Sequence, residues 1–175
     1  MNNEKDLLQK ALQLGYTHIY FLYTQPQKIS KHTIAECTSK TISQFRKRCA
    51  TLMITTSDQT IFEQTKPDIV MGLEKINSHD RTHQRLSGFN HVLAKLARKN
   101  NISLLYNIPE LANATLLGRN KQNIMLCNKY NVNIILTSLV SDPSQIPAPH
   151  DIISTARLLG ITQPAKTITY SFSRE

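Results

Sequence analysis

The sequence predicts an α/β protein in which short strands alternate with helices around a parallel sheet. Short apolar runs recur at residues 18–23, 52–54, 69–71, 102–106 and 132–136, and residues 168–172 are a sixth strand candidate. Helical patterns separate the runs, and helical crossovers are typical of parallel strands. Because 175 residues can form one self-sufficient core, we expect a single domain covering residues 1–175.

The helices are predicted from apolar periodicity and from their end signals. Residues 3–14 carry a leucine- and alanine-rich stripe, and Gly15 is expected to end this helix. Further helices are predicted over residues 58–64, 87–100, 116–130 and 149–159. The polar, weakly periodic residues 24–48 are interpreted as a basic loop leading into a short helix.

The charge is strongly basic and unevenly placed. The chain has 21 Lys and Arg against 12 Asp and Glu, a formal net charge of +9. Residues 24–50 and 81–130 hold most of the excess, whereas residues 51–80 are acidic. A localised basic face favours a nucleic-acid surface over a membrane surface.

Cysteine usage and the hydropathy pattern indicate the compartment. Cys37, Cys49 and Cys127 are widely spaced and form no Cys-x-x-Cys motif, so neither a disulfide framework nor a zinc ribbon is predicted. The chain start lacks signal-peptide order, and no apolar run reaches the roughly 18 residues of a membrane span. We therefore expect a soluble, cytoplasmic protein with no membrane partner.

Residues 87–100 form the most informative helical pattern. Phe89, Val92, Leu93 and Leu96 are predicted to form its apolar stripe. The opposite face carries a ridge of basic side chains that suits RNA phosphates: His91, Lys95, Arg98 and Lys99. The alternative interpretation is an ordinary solvated helix face.

A second basic cluster, Arg46, Lys47 and Arg48, follows Phe45 and is also a candidate for holding phosphates. Phe45 itself is predicted to fill the core. The aromatic residues suggest no base-stacking platform, so recognition through shape and backbone contacts is expected.

A competing enzyme hypothesis rests on His79, Asp80 and His83. On a helix, two imidazoles and a carboxylate at this spacing could bind one metal ion, as in a metal-dependent phosphoesterase. The same residues are also compatible with a polar surface turn, which we favour.

The run NHVLAKL at residues 90–96, followed by Lys99-Asn100, closely resembles a signature of ribonuclease P protein component three. This family is the archaeal and eukaryotic TIM-barrel subunit of ribonuclease P. Further matching motifs follow in family order: GR at 118–119, KQNI at 121–124, LC at 126–127, KY at 129–130, LTS at 136–138, Pro149, DII at 151–153 and RLLG at 157–160.

The resemblance implies a (β/α) barrel related to the polymerase-and-histidinol-phosphatase group but without its metal site. It implies a non-catalytic subunit that binds ribonuclease P RNA and protein component two, and through them precursor tRNA. The RNA would perform the cleavage with its own magnesium, and the protein would hold no cofactor. Family positions facing RNA match His91, Lys95, Lys99 and Arg119, and charge placement adds Arg81, Arg85, Arg98 and Lys121.

The chain also departs from the family pattern. It begins almost at the first helix, and residues 54–79 look about one βα unit short, so a reduced TIM-type barrel lacking the first strand and one further unit is expected. Residues 147–150 and 107–111 replace more basic family stretches, and Glu110 would repel a phosphate. A stand-alone structured-RNA-binding protein therefore remains an alternative.

Overall fold

The sheet is parallel and contains seven strands in chain order. The computed structural model describes residues 2–16, 20–23, 33–37, 51–162 and 171–172. The strands are β1 (Phe21–Tyr23), β2 (Thr33–Cys37), β3 (Thr51–Ile54), β4 (Ile69–Met71), β5 (Ser103–Asn107), β6 (Ile134–Leu139) and β7 (Ser171–Phe172). Each strand pairs in parallel with the next. Cα atoms of β1 and β7 approach within 8 Å, so the sheet curves back toward its first strand. The predicted α/β class is confirmed, and the arrangement is consistent with a partial α/β barrel.

Among the described residues, four α-helices accompany the sheet: α1 (Asn2–Gln13), α2 (His91–Lys99), α3 (Ala114–Tyr130) and α4 (Pro149–Leu158). Gly15, at φ +90°, ends α1 as predicted. Asn90 and Asn113 begin α2 and α3, because each side chain accepts hydrogen bonds from two exposed backbone N–H groups. No helix in the described ranges has both the length and the apolar character needed to cross a bilayer.

The structure corrects two predicted elements, the loop at residues 24–48 and the helix at residues 58–64. Residues 33–37, interpreted as part of a basic loop, form β2, which pairs with β1 on one side and β3 on the other. The segment between Ile54 and His79 contains β4, preceded by a π-helical turn over Ile61–Thr65 in place of the predicted helix at 58–64. That segment holds the predicted strand at 69–71, and the expectation that it is about one βα unit shorter than the family pattern stays a prediction.

The core has one layer on each face of the sheet. Leu52 and Ile54 of β3 pack with the helices in the larger cluster, whereas Met53 between them packs on the opposite face. The inner cluster, enclosed by the curve of the sheet, consists of six residues: Leu22, Met53, Ile69, Met71, Leu105 and Ile135. Burial on both faces explains why the strands read as continuous apolar runs.

Candidate nucleic-acid interface

The basic ridge is the exposed face of α2 formed by His91, Lys95, Arg98 and Lys99, and all four side chains lie in solvent. The opposite face buries Leu93, Ala94 and Ala97 against the sheet and α3. Val92, predicted to be in the apolar stripe, is 36% exposed. Ala94 and Ala97, both fully buried, lie on the packed face of α2 in its place.

The basic loop, residues 77–89, connects the carboxyl end of β4 to α2. Arg81 and Gln84 exchange two backbone hydrogen bonds of 2.9 and 3.1 Å, so the chain turns tightly between them. Arg81 and Arg85 are exposed on this loop. The guanidinium of Arg85 lies against α3, where a Cβ added to Gly118 would be 3.2 Å from its Nε. The loop thus presents two arginines beside α3.

Arg119 does not belong to the exposed surface, which corrects its assignment as an RNA contact. Its side chain is 2% exposed. Nε and Nη2 contact Asp80 Oδ1 at 2.8 and 2.7 Å. Nη1 donates to the backbone carbonyls of Glu74 and Asn77, at 2.7 and 2.6 Å. Arg119 therefore joins α3 to the basic loop from inside.

Three further polar contacts fix the same loop. Asp80 Oδ1 also accepts a 2.8 Å hydrogen bond from the Leu86 N–H, and the Asn77 amide donates to the Leu86 carbonyl at 3.1 Å. Asn123 of α3 donates to the Ser87 carbonyl at 3.0 Å. A loop held at this many points presents its cations on an ordered backbone, so less conformational entropy is lost when a partner binds.

Because Asp80 contacts both the Leu86 N–H and Arg119, the stability of the folded protein depends on the ionisation of Asp80. The Leu86 N–H, and then the Arg119 guanidinium, hold the pKa of Asp80 below its ordinary value. A carboxyl with a lowered folded-state pKa stabilises the fold above its unfolded pKa, about 3.9, and loses that contribution as pH falls through the folded value.

We therefore expect Asp80→Asn to be less stable than wild type in urea unfolding at neutral pH, with a gap that shrinks as pH falls below about 4. The asparagine keeps the size and shape of the side chain and removes only its charge. Because every other carboxyl titrates in both proteins, the difference isolates Asp80. A gap of constant size down to about pH 2 would show that the charge of Asp80 is not what stabilises the loop.

The metal hypothesis fails on placement. His79, Asp80 and His83 lie in the turn of the basic loop and not on a helix, and Asp80 is engaged by Arg119. In the ranges that the structure describes, no group of three or more His, Cys, Asp or Glu side chains could hold an ion. The favoured interpretation, a polar surface turn, agrees with the exposure of both histidines.

Two acidic side chains, Glu74 and Glu110, follow the carboxyl ends of β4 and β5. Glu74 is 2% exposed, and burial raises its pKa, with a further contribution from the Glu110 carboxylate. Glu110 pairs with Lys75 at 2.6 Å and accepts from Asn107 at 2.9 Å. Within the described residues Lys75 is therefore engaged by Glu110, and the expectation that Glu110 would repel a phosphate stays a prediction.

The remaining predicted residues divide between the surface and the undescribed part of the chain. Lys121 is exposed on α3, two residues after the buried Arg119. Arg46, Lys47 and Arg48 lie outside the described residues. Six predicted lysines and arginines are therefore exposed on the ridge, the loop and α3: Arg81, Arg85, Lys95, Arg98, Lys99 and Lys121.

Fold and surface together define a parallel α/β protein with exposed basic side chains on α2, α3 and the basic loop. The chain is similar to ribonuclease P protein component 3 of methanogenic archaea, which confirms the resemblance seen in the motifs. It is 27% identical to the Methanococcus vannielii protein over 145 residues, 77% of this chain and 60% of that protein. It is 35% identical to the Methanococcoides burtonii protein over 81 residues, 43% and 34% of the two chains.

A third relative, component 3 from Methanococcus maripaludis strain C7, is 23% identical over 158 residues, which is 85% of this chain and 64% of that protein. The chain thus spans less than two thirds of the length of the relatives it matches. No protein-family model matches it.

Proposed function

We propose that this chain acts as a ribonuclease P protein component 3, a non-catalytic subunit that assists RNA-catalysed removal of 5′ leaders from precursor tRNA. The observation that carries the proposal is the similarity to several proteins of that name, which extends over most of this chain. The exposed cations of the basic ridge and the basic loop supply the charge that an RNA partner requires.

The proposed mechanism is the neutralisation of RNA phosphates by basic side chains that are held on an ordered backbone. Phosphates of a folded RNA repel one another, and lysines or arginines placed between them release condensed counterions and lower that repulsion. The contacts of Arg119 and Asn123 hold the basic loop beside α3, so its arginines need little ordering on binding. The expected consequence is that the catalytic RNA needs less magnesium when the protein is present. The protein itself is proposed to bind no cofactor.

The proposal includes the finer architecture and the protein partner. The seven strands in chain order and the approach of β1 to β7 support a reduced TIM-type barrel. Protein component two is the proposed protein partner, with precursor tRNA reached through the RNA and a cytoplasmic location for the assembly.

The test is RNA binding across a salt series by a triple variant, Lys95→Gln, Lys99→Gln and Lys121→Gln. If six phosphates are engaged, wild-type affinity should fall about 10³-fold between 50 and 200 mM salt. The triple variant should bind more weakly, with the slope of log affinity against log salt shallower by roughly 2 to 3. All three side chains are exposed, so the fold should be retained.

The matched control is Lys5→Gln, Lys10→Gln and Arg157→Gln, which removes the same charge from exposed positions on α1 and α4. The control should keep the wild-type slope, because the proposed surface is local. Equal slopes for both triple variants would show that only net charge matters. Binding of the RNA with no capture of component two would favour the stand-alone RNA-binding alternative, and no binding even with component two present would overturn the proposal.

A further inference from the structure

A cavity of about 260 Å³ opens at the amino end of β6, outside the basic ridge and the basic loop. It lies between the carboxyl ends of α2 and α3 and the segment that follows α4. Its walls include three apolar side chains that are each at least 93% buried, Val132, Ile134 and Ile161. These side chains form a floor that exposes only a small apolar area, and most of the surface of the cavity is polar.

The buried Cys127 and five polar side chains complete the lining: Arg98, Asn128, Asn131, Asn133 and Thr162. Asn128 is fixed in place, because its amide donates to the Gly160 carbonyl at 2.7 Å and accepts from Thr162 at 3.3 Å. Asn131 and Asn133 are exposed, and their side-chain amides have no hydrogen-bond partner within the described residues. Two amides, each with donors and an acceptor, are thus available to a ligand.

Arg98 links the cavity to the basic ridge, because it lines the one and belongs to the other. No aspartate or glutamate is among the lining residues. The site is therefore positive at its α2 side and uncharged elsewhere, which suits a ligand with one anionic group and a polar, uncharged ring.

We propose that this cavity receives one unpaired nucleobase of the bound RNA, with Arg98 on the adjoining phosphate. The inference rests on the proposed function and gives it a specific RNA feature, a bulged or looped-out nucleotide beside a helix. The volume is just below the roughly 300–1,000 Å³ of small-molecule pockets, so it fits a single ring system and not a whole cofactor.

The chemistry of a base matches each wall. A flat base presents an apolar face, which can cover the buried aliphatic side chains. Its edge carries both donors and acceptors, which asparagine amides recognise well because they also carry both. The phosphate next to a splayed base is then near Arg98, whose guanidinium makes charge-assisted hydrogen bonds.

The test compares two RNA hairpins that differ only in one unpaired 2-aminopurine, a fluorescent adenine analogue, against wild type and Asn133→Ala. Wild type should bind the bulged hairpin about tenfold more tightly than the paired one, the equivalent of about 1.4 kcal/mol, and should change the fluorescence of the base. Asn133→Ala should lose most of this preference and the fluorescence change while binding the paired hairpin normally.

Gln64→Ala is the matched control, since it shortens another exposed amide on the turn before β4. It should behave like wild type with both hairpins. Asn131→Gly is a second cavity variant that tolerates the left-handed backbone of Asn131, at φ +54°, and it should also weaken only the bulged hairpin.

Equal affinity for the two hairpins, with salt-dependent binding of both, would overturn the cavity assignment and leave the proposed function standing. Competition by free adenosine monophosphate as strong as that by the bulged RNA would also overturn it, because the site would then take a free nucleotide. Failure of ribonuclease P RNA and of both hairpins to bind would overturn the proposed function and the cavity assignment together.

Discussion

Arg119→Met is expected to lower the free energy of unfolding by roughly 2–4 kcal/mol, because it leaves the carbonyls of Glu74 and Asn77 without their donor, each at a cost of about 1–3 kcal/mol. Methionine keeps the apolar part of the side chain, so the loss of stability measures the contribution of the guanidinium group. Urea unfolding measures it. Lys121→Met, two residues further along α3 and exposed, should change stability by no more than about 0.5 kcal/mol.

The same variant separates an internal role for Arg119 from the RNA contact that the motif resemblance implied. At a temperature where it remains folded, Arg119→Met should keep the wild-type salt slope of RNA binding. Loss of one phosphate contact would instead make the slope shallower by about 0.9, as is expected for Lys95→Met on the exposed ridge. A slope for Arg119→Met that matches Lys95→Met would contradict the buried placement.

Local signals explain why most of the elements could be predicted from the sequence. The boundaries of α1 and α4 follow from Gly15 and Gly160, both at positive φ, as the helix-ending role of glycine requires. Asn90 and Asn113 sit at helix starts, where a short polar side chain satisfies exposed N–H groups. In these cases the residue that begins or ends a helix lies within a few positions of the helix terminus that it determines.

The strand β2 could not be predicted because the interactions that stabilise it are not local in the sequence. Residues 33–37 have weak apolar patterning, but their backbone pairs on one side with β1 and on the other with β3. A strand between two others is stabilised by hydrogen bonds on both edges and by its neighbours' side chains, so its own composition is a poor guide.

Arg119 was assigned to the RNA-facing surface from the family resemblance, and the helical register of α3 was not used to test that assignment. Asn123 and Cys127 are 4 and 8 positions after it, so they lie on the same side of α3, and all three residues are buried. The register therefore predicts an inward arginine, whereas Lys121 falls on the outer face. The register does not show that Asp80 and two carbonyls from a distant loop satisfy the buried guanidinium, because those partners are brought to it only by the fold.

Gly88→Ala is expected to be the most damaging change in the basic loop, with a loss of roughly 3 kcal/mol or more in the free energy of unfolding. Gly88 has φ +73°, and a Cβ built there would be 2.1 Å from the Leu73 carbonyl oxygen and 2.9 Å from its carbon. Both atoms belong to the backbone, so no side chain can rotate away. The turn that begins at Leu73 also supplies the Glu74 carbonyl that Arg119 binds.

The matched control is Gly160→Ala, because Gly160 has a similar φ, +78°, but nothing within 4 Å of the added Cβ. It should show only the strain of a left-handed alanine, roughly 1–2 kcal/mol. The difference between the two losses, measured by urea unfolding, therefore isolates the contact between Gly88 and Leu73. Equal losses of stability in the two variants would mean that the basic loop can move away from the end of β4 without a change in the free energy of unfolding. A loop that moves so easily could not hold Arg81 and Arg85 in a fixed position for a phosphate.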